Sequence, residues 1–472
     1  MLITVLISIT LISGLYMAWN IGANDVANAM GTSVGSKALS LKQAIVVAGI
    51  LEFCGAFFFG SHVSETIEGG IINSDIFTHT PLVLALGMIS SLISAGMWLQ
   101  IASYFGWPVS TTHSIIGSII GFGILVGGMN AVQWDNVIYI ALSWVLSPLF
   151  GGIISYIAFT MILRKIFYVA NPLRATKKAV PIILFIVMFT LTLSILYQDL
   201  DNLKLQLNLW SALGISMSIG ALGGIVGYLS VRHIEPESYR GDTLPYNPKV
   251  INGLEKARRH LQNVQAITSG EMGSTVSQLV DVTQELSSSV REAAQRAESR
   301  SEFYVVEKLF AKLQLLSACL MAFSHGANDV ANAIGPLAAA VSILQTGIIN
   351  PGSSIPLWAL ALGGFGIVLG LATWGWRVIE TIGRKLTELT PTRGFAAEFG
   401  AATTILVASR LGFPISATHT LVGAVLGVGF ARGIEALNLA TMRDIFISWV
   451  VTIPAGAGIA VCIFYALQSI FL

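Results

Sequence analysis

The chain has 472 residues, with 26 lysines and arginines against 25 aspartates and glutamates, for a formal net charge of +1 at pH 7. Hydrophobic residues make up 54% and charged residues 11%, and the mean hydropathy is +0.75. This excludes a chain of ordinary soluble domains, and the lack of a basic cluster excludes a nucleic-acid binder. The three cysteines (Cys54, Cys319 and Cys462) each lie in an apolar run, so neither a disulfide framework nor a metal site is indicated. Apolar runs of roughly 20 residues, the length of a membrane-crossing helix, recur along the chain. The expectation is an all-α polytopic membrane protein, because open sheets cannot satisfy their backbone in lipid.

In chain order, Leu2 to Trp19 lacks a basic leader and runs directly into Gly22-Ala23-Asn24-Asp25-Val26-Ala27-Asn28-Ala29, so it is expected to be a retained first span extending to about residue 36. Further spans are expected near 42–62, 81–103, 115–129 and 137–163. The loop with Arg164, Lys165, Arg174, Lys177 and Lys178 is the densest basic loop between close spans and should be cytoplasmic. Spans near 179–198 and 209–231 follow, which puts residues 232–307 inside as well. That region is highly charged but nearly balanced in sign, and its apolar residues keep helical spacing from Val250 to Val264 and from Leu279 to Ala297. Two amphipathic helices are expected there. They could be a linker packing on itself, a homodimer surface or a regulatory element.

The second half opens near Leu309 and carries Gly326-Ala327-Asn328-Asp329-Val330-Ala331-Asn332-Ala333. Spans near 357–376, 395–410, 420–434 and 444–470 bring the expected count to about twelve. The organisation expected is a first membrane repeat at 1–163, two linking helices at 164–231, a cytoplasmic helical region at 232–307 and a second membrane repeat at 308–472.

Two further pairs support the duplication. Gly106-Trp107-Pro108-Val109-Ser110-Thr111-Thr112-His113 matches Gly412-Phe413-Pro414-Ile415-Ser416-Ala417-Thr418-His419, and Ser143-Trp144-Val145 echoes Ser448-Trp449-Val450. The offsets for the three pairs are 304, 306 and 305 residues, so whole units of five spans repeat. Five is odd and the two intervening spans are even in number, so the repeats should have inverted topology. Inverted repeats with broken or re-entrant helices at corresponding positions mark alternating-access transporters.

An intramembrane carboxylate is costly and is a functional-site hypothesis by default. In each repeat the Asn-Asp-x-x-Asn pattern offers a carboxylate and amide oxygens: Asn24, Asp25 and Asn28, then Asn328, Asp329 and Asn332. Such oxygens suit a dehydrated hard cation such as Na⁺, with Asp25, Asn28, Asp329 and Asn332 as ligands, and a proton on the aspartate is the alternative. Gly-aromatic-Pro breaks a helix, and the hydroxyl cluster after it caps a new helix start, where free amides and the dipole favour an anion. Ser110, Thr111, Thr112, Ser416 and Thr418 thus form a candidate oxyanion cradle. His113 and His419 read equally as proton relays or packing groups. Glu52 and Glu398 are intramembrane carboxylates without a glutamate at the repeat-related position.

These motifs resemble the inorganic phosphate transporter (PiT) family of secondary transporters, and the resemblance covers both membrane halves. It implies a non-enzymatic symporter of inorganic phosphate with Na⁺ or H⁺, with no cofactor beyond the coupling ion, in the cell membrane. It further implies phosphate on the five hydroxyl residues, coupling ions on the Asn-Asp groups, and Glu52 and Glu398 as transport-related carboxylates. Ala417 departs from the pattern, standing where the first repeat has Thr111. A sulfate symporter on the same scaffold and a cation channel or exchanger using only the Asp-Asn pairs are the alternatives.

Overall fold

The computed structural model describes residues 1–105, 107, 109–197, 208–232, 234, 248–298, 302–350, 354–376, 379, 390–432 and 439–472, and of these only the backbone at 27, 28, 197, 248–252, 291–298, 302, 439–442, 444–446 and 448. The Asn28 and Ser448 side chains, Gly106, Pro108 and the charged residues Arg377, Arg384 and Lys385 therefore lie outside the described set, as does most of the expected 199–208 loop.

Long apolar runs can satisfy their own backbone only as helices, and among the described residues the regular structure is helical, with one isolated bridge between Ile72 and Val132. In the first half lie α1 (Leu2–Asn24), α2 (Val26–Gly35), α3 (Leu41–Phe59), α4 (Ser61–Gly69), α5 (Pro81–Phe105), α6 (Thr111–Gly127) and α7 (Trp134–Ile162). Next come α8 (Pro172–Tyr197), α9 (Leu209–Arg232), α10 (Pro248–Gln265) and α11 (Glu271–Glu298). The second half holds α12 (Glu302–Asp329), α13 (Ala331–Thr346), α14 (Leu357–Gly370), α15 (Pro391–Arg410), α16 (Ala417–Arg432) and α17 (Leu439–Phe471). Local chemistry sets several ends. A reciprocal Ser40–Gln43 capping box opens α3, and Gly347, at φ 71°, closes α13 in the left-handed region that glycine tolerates.

Eight helical stretches among the described residues, from Leu2–Gly35 to Trp449–Phe471, are long and apolar enough to cross a membrane. The chain is an all-α multi-pass membrane protein. The fourth and eleventh expected spans begin earlier than their hydropathy suggests, at Thr111 and Ala417, because polar hydroxyl residues form the first turn of each helix. The first expected span is interrupted at Asp25, between α1 and α2. The amphipathic region forms α10 and α11, which pack on each other and leave Leu279, Val282 and Leu286 of α11 exposed.

Helix packing couples the halves reciprocally. α1 lies against α5 and α14, while α12 lies against α15 and α3. Similarly, α6 packs on α17 and α7 on α16. The swapped contacts bring backbones close: a Cβ added at Gly326 would stand 2.8 Å from Glu52 Cα, and one at Gly22 would stand 2.9 Å from Leu371 N. Small residues allow such crossings in membranes, where dispersion and polar contacts replace the hydrophobic drive. Neither half can therefore build its polar centre alone.

Candidate functional site

Each Asn-Asp motif straddles a helix break. Asp25 links α1 to α2, and Asp329 ends α12 one residue before α13 begins. Asp25 and Asp329 come from opposite halves, yet with His325 they form a group whose ligand atoms lie within 4.8 Å of one another, all buried. The flanking asparagines are held alike. Asn24 Nδ2 donates to Ser103 Oγ at 2.9 Å, and Asn328 Nδ2 donates to Ser409 Oγ at 3.0 Å. With their amide nitrogens engaged on α5 and α15, their oxygens are left over. Asn24 Oδ1, Asp25 Oδ1, Asn328 Oδ1, Asp329 Oδ1 and Asn332 Oδ1 are all buried without a hydrogen-bond partner. Buried acceptors are rarely left this way, and a set of carboxylate and amide oxygens fits a hard cation.

The Gly-aromatic-Pro breaks lie beside this centre. Ser110 caps α6, its Oγ accepting the His113 amide at 3.2 Å, and Ser416 does the same for His419 at 3.2 Å. The two breaks also cross-brace each other: Thr112 Oγ1 donates to the Ile415 carbonyl at 2.9 Å, and Thr418 Oγ1 donates to the Val109 carbonyl at 3.4 Å. Two helix N-termini, each with first-turn amides that have no intrahelical acceptor, therefore meet where the halves join. Asn332 Nδ2 donates to Thr112 Oγ1 at 3.3 Å, which ties an Asn-Asp motif to a hydroxyl motif of the other half. Asp25, Asp329, Ser110, Thr111, Thr112, Ser416 and Thr418 are all buried, so the centre is closed to solvent.

The halves differ in how they hold their aspartates. Thr111 Oγ1 donates to Asp25 Oδ2. Ala417 cannot do this for Asp329; His325 Nε2 lies 3.0 Å from Asp329 Oδ2, within ion-pair distance but without hydrogen-bond geometry. His325 Nδ1 is in turn 2.7 Å from Glu52 Oε2. The chemistry of the motifs alone does not reveal His325, although its position immediately before Gly326, where the first copy has Ile21, is a visible signal.

Glu398 sits in a separate cage away from the aspartates. Its Oε1 accepts from Thr32 Oγ1 at 2.5 Å, Ser33 Oγ at 2.6 Å and Gln314 Nε2 at 3.0 Å, and its Oε2 accepts from Ser317 Oγ at 2.6 Å. The carboxylate thereby joins α2, α12 and α15, and none of its four partners stands out in the sequence. His113 and His419 meet with ring centroids 4.4 Å apart; Trp144 lies 3.9 Å from the first and Trp449 3.4 Å from the second. The repeated tryptophans thus back the two helix starts.

A helical fold with many apolar spans, whose halves interlock around one buried polar centre, is that of an integral membrane protein. The model of the Phosphate transporter family matches residues 21–460, and the chain belongs to that family. It is 46% identical over 458 residues to "Inorganic phosphate transporter 2-1, chloroplastic" of Arabidopsis thaliana, covering 96% of this chain and 70% of that protein. Among solved structures it resembles "The sodium-dependent phosphate transporter" with a TM-score of 0.79 and 37% identity, covering 99% of this chain and all of the other.

Proposed function

We propose that this protein moves inorganic phosphate across the cell membrane together with Na⁺ by alternating access, the two halves acting as inverted repeats in a fold of about twelve spans. The observation that carries this reading is the meeting of two capped helix starts beside five buried oxygens without partners. The helix-start amides and the hydroxyls of Ser110, Thr111, Thr112, Ser416 and Thr418 hold the oxyanion. Asn24, Asp25, Asn328, Asp329 and Asn332, with Asn28 by motif, hold or shape the place of the cation. Because anion and cation sites share one centre, each ion offsets the other's charge, and loading is favourable only together. Glu52 acts through His325 on Asp329. Glu398 holds the helices around the centre through its hydroxyl cage.

The basic 164–178 loop supports a cytoplasmic location for residues 232–307, and the exposed α11 face there is our candidate contact for a second copy. The relative named for sodium dependence favours Na⁺ over H⁺. Saturable uptake of labelled phosphate into proteoliposomes tests the proposal. Uptake should collapse when Na⁺ is replaced by choline at fixed pH, and sulfate should compete poorly. Equal uptake in choline would remove Na⁺ coupling.

A further inference from the structure

Away from the polar centre, α7, α8 and α15 enclose a groove of about 410 Å³. Its lining is apolar, with Met161 and Ile182 on the flanks and Phe395 and Phe399 of α15 at its base, and Lys165 is the one charged residue in it. The volume falls within the roughly 300–1,000 Å³ of ligand-binding clefts. From Ile154 to Lys165 the groove follows α7 and its extension for about 16 Å at the helical rise per residue, close to one leaflet of a hydrocarbon core about 30 Å thick.

The chain segment at its end is basic. Lys165 is exposed and sits in a π-helical segment, Leu163–Phe167, that extends α7; such widened turns often mark functional positions. Arg164, Arg174 and Lys178 are exposed nearby in the chain, and no acidic residue occurs from 136 to 198. Lys177 is already engaged, its Nζ donating to the Arg232 and Ile234 carbonyls at 3.1 and 2.7 Å, where it closes the end of α9.

We propose that this groove binds an anionic phospholipid, with one acyl chain lying over Phe395 and Phe399 and the headgroup phosphate on Lys165. Charge selects this occupant over a second copy of the chain, since a symmetric contact here would set like basic segments against each other. Phe395 and Phe399 flank Glu398 on α15, so the lipid bears on the helix that carries the Glu398 cage. The site is separate from the transport centre, and lipid retention can be measured with no phosphate present.

The full-length protein, reconstituted in phosphatidylcholine with phosphatidylglycerol in equal parts and released for native mass spectrometry, should retain phosphatidylglycerol in preference. Lys165→Gln should cut that preference about fivefold, the effect of one basic residue at an anionic surface, and Lys165→Arg should keep it. Ala158→Trp, which fills the groove, should reduce retention of both lipids. Equal retention of the two lipids by the unmodified protein, or a preference unchanged in Lys165→Gln, would overturn the proposal. So would efficient disulfide cross-linking between copies through Ile157→Cys, which would assign the groove to a sister subunit.

Discussion

His325 Nε2 lies 3.0 Å from Asp329 Oδ2, in the half of the protein where Ala417 replaces the threonine that serves Asp25. The second aspartate thus has a ring nitrogen, backed by Glu52 at 2.7 Å, where the first has a hydroxyl. The two halves share a plan but present different partners to the same kind of carboxylate.

This difference predicts a rescue. His325→Gln should lower apparent Na⁺ affinity about 10–100-fold, the usual cost of losing a group that orients a ligand. Ala417→Thr in that background should recover part of the loss by restoring the hydroxyl that Thr111 supplies in the other half. Uptake at varied Na⁺, read as a double-mutant cycle, checks this; purely additive effects would show that the two positions do not share Asp329.

Asp25→Asn and Asp329→Asn should each reduce Na⁺-driven phosphate uptake to background while leaving the protein folded. The substitution keeps shape but removes the charge that balances a cation among buried oxygens. Size-exclusion profiles together with proteoliposome uptake decide. Substantial remaining uptake in either variant would place the cation elsewhere.

Ser317→Ala should destabilise the protein by about 1–2 kcal/mol, the range for an interhelical hydrogen bond in a membrane bundle, because among the described residues Ser317 is the donor to Glu398 Oε2. Glu398→Leu should cost more, since it strands four polar partners at once. Melting temperatures in one detergent measure both, and equal melting of Ser317→Ala and the unmodified protein would argue against a structural cage.

Gly326→Val should lower the melting temperature and abolish uptake, because even a Cβ there meets Glu52 Cα at 2.8 Å; overpacking of this kind costs about 1–3 kcal/mol. Gly214→Ala, with nothing within 4 Å of an added Cβ, should leave melting and uptake unchanged. The pair separates the need for close crossing from a general dislike of larger residues.

The two helix breaks and their caps were legible in the chain because each motif is local and occurs twice. A proline break followed by a serine cap needs only neighbouring residues, and Ser110 and Ser416 cap their helices as that chemistry requires. The polar networks were not legible. Glu398 is partnered by residues 81 to 366 positions away, and serine and threonine in an apolar helix look the same whether they serve a carboxylate or bond back to their own turn.

Apolar run lengths demand helices in lipid and so set the class before any contact is known, and paired motifs at near-constant offset are the ground for expecting two related halves. Tertiary structure alone decided which groups meet. It brought Asp25 beside Asp329, set His325 between Glu52 and Asp329, and laid the two helix starts across each other. The reason is geometric. Hydropathy and local breaks specify helices one at a time, whereas a shared site depends on the crossing of helices from distant halves, set by close contacts such as Gly326 against the Glu52 backbone.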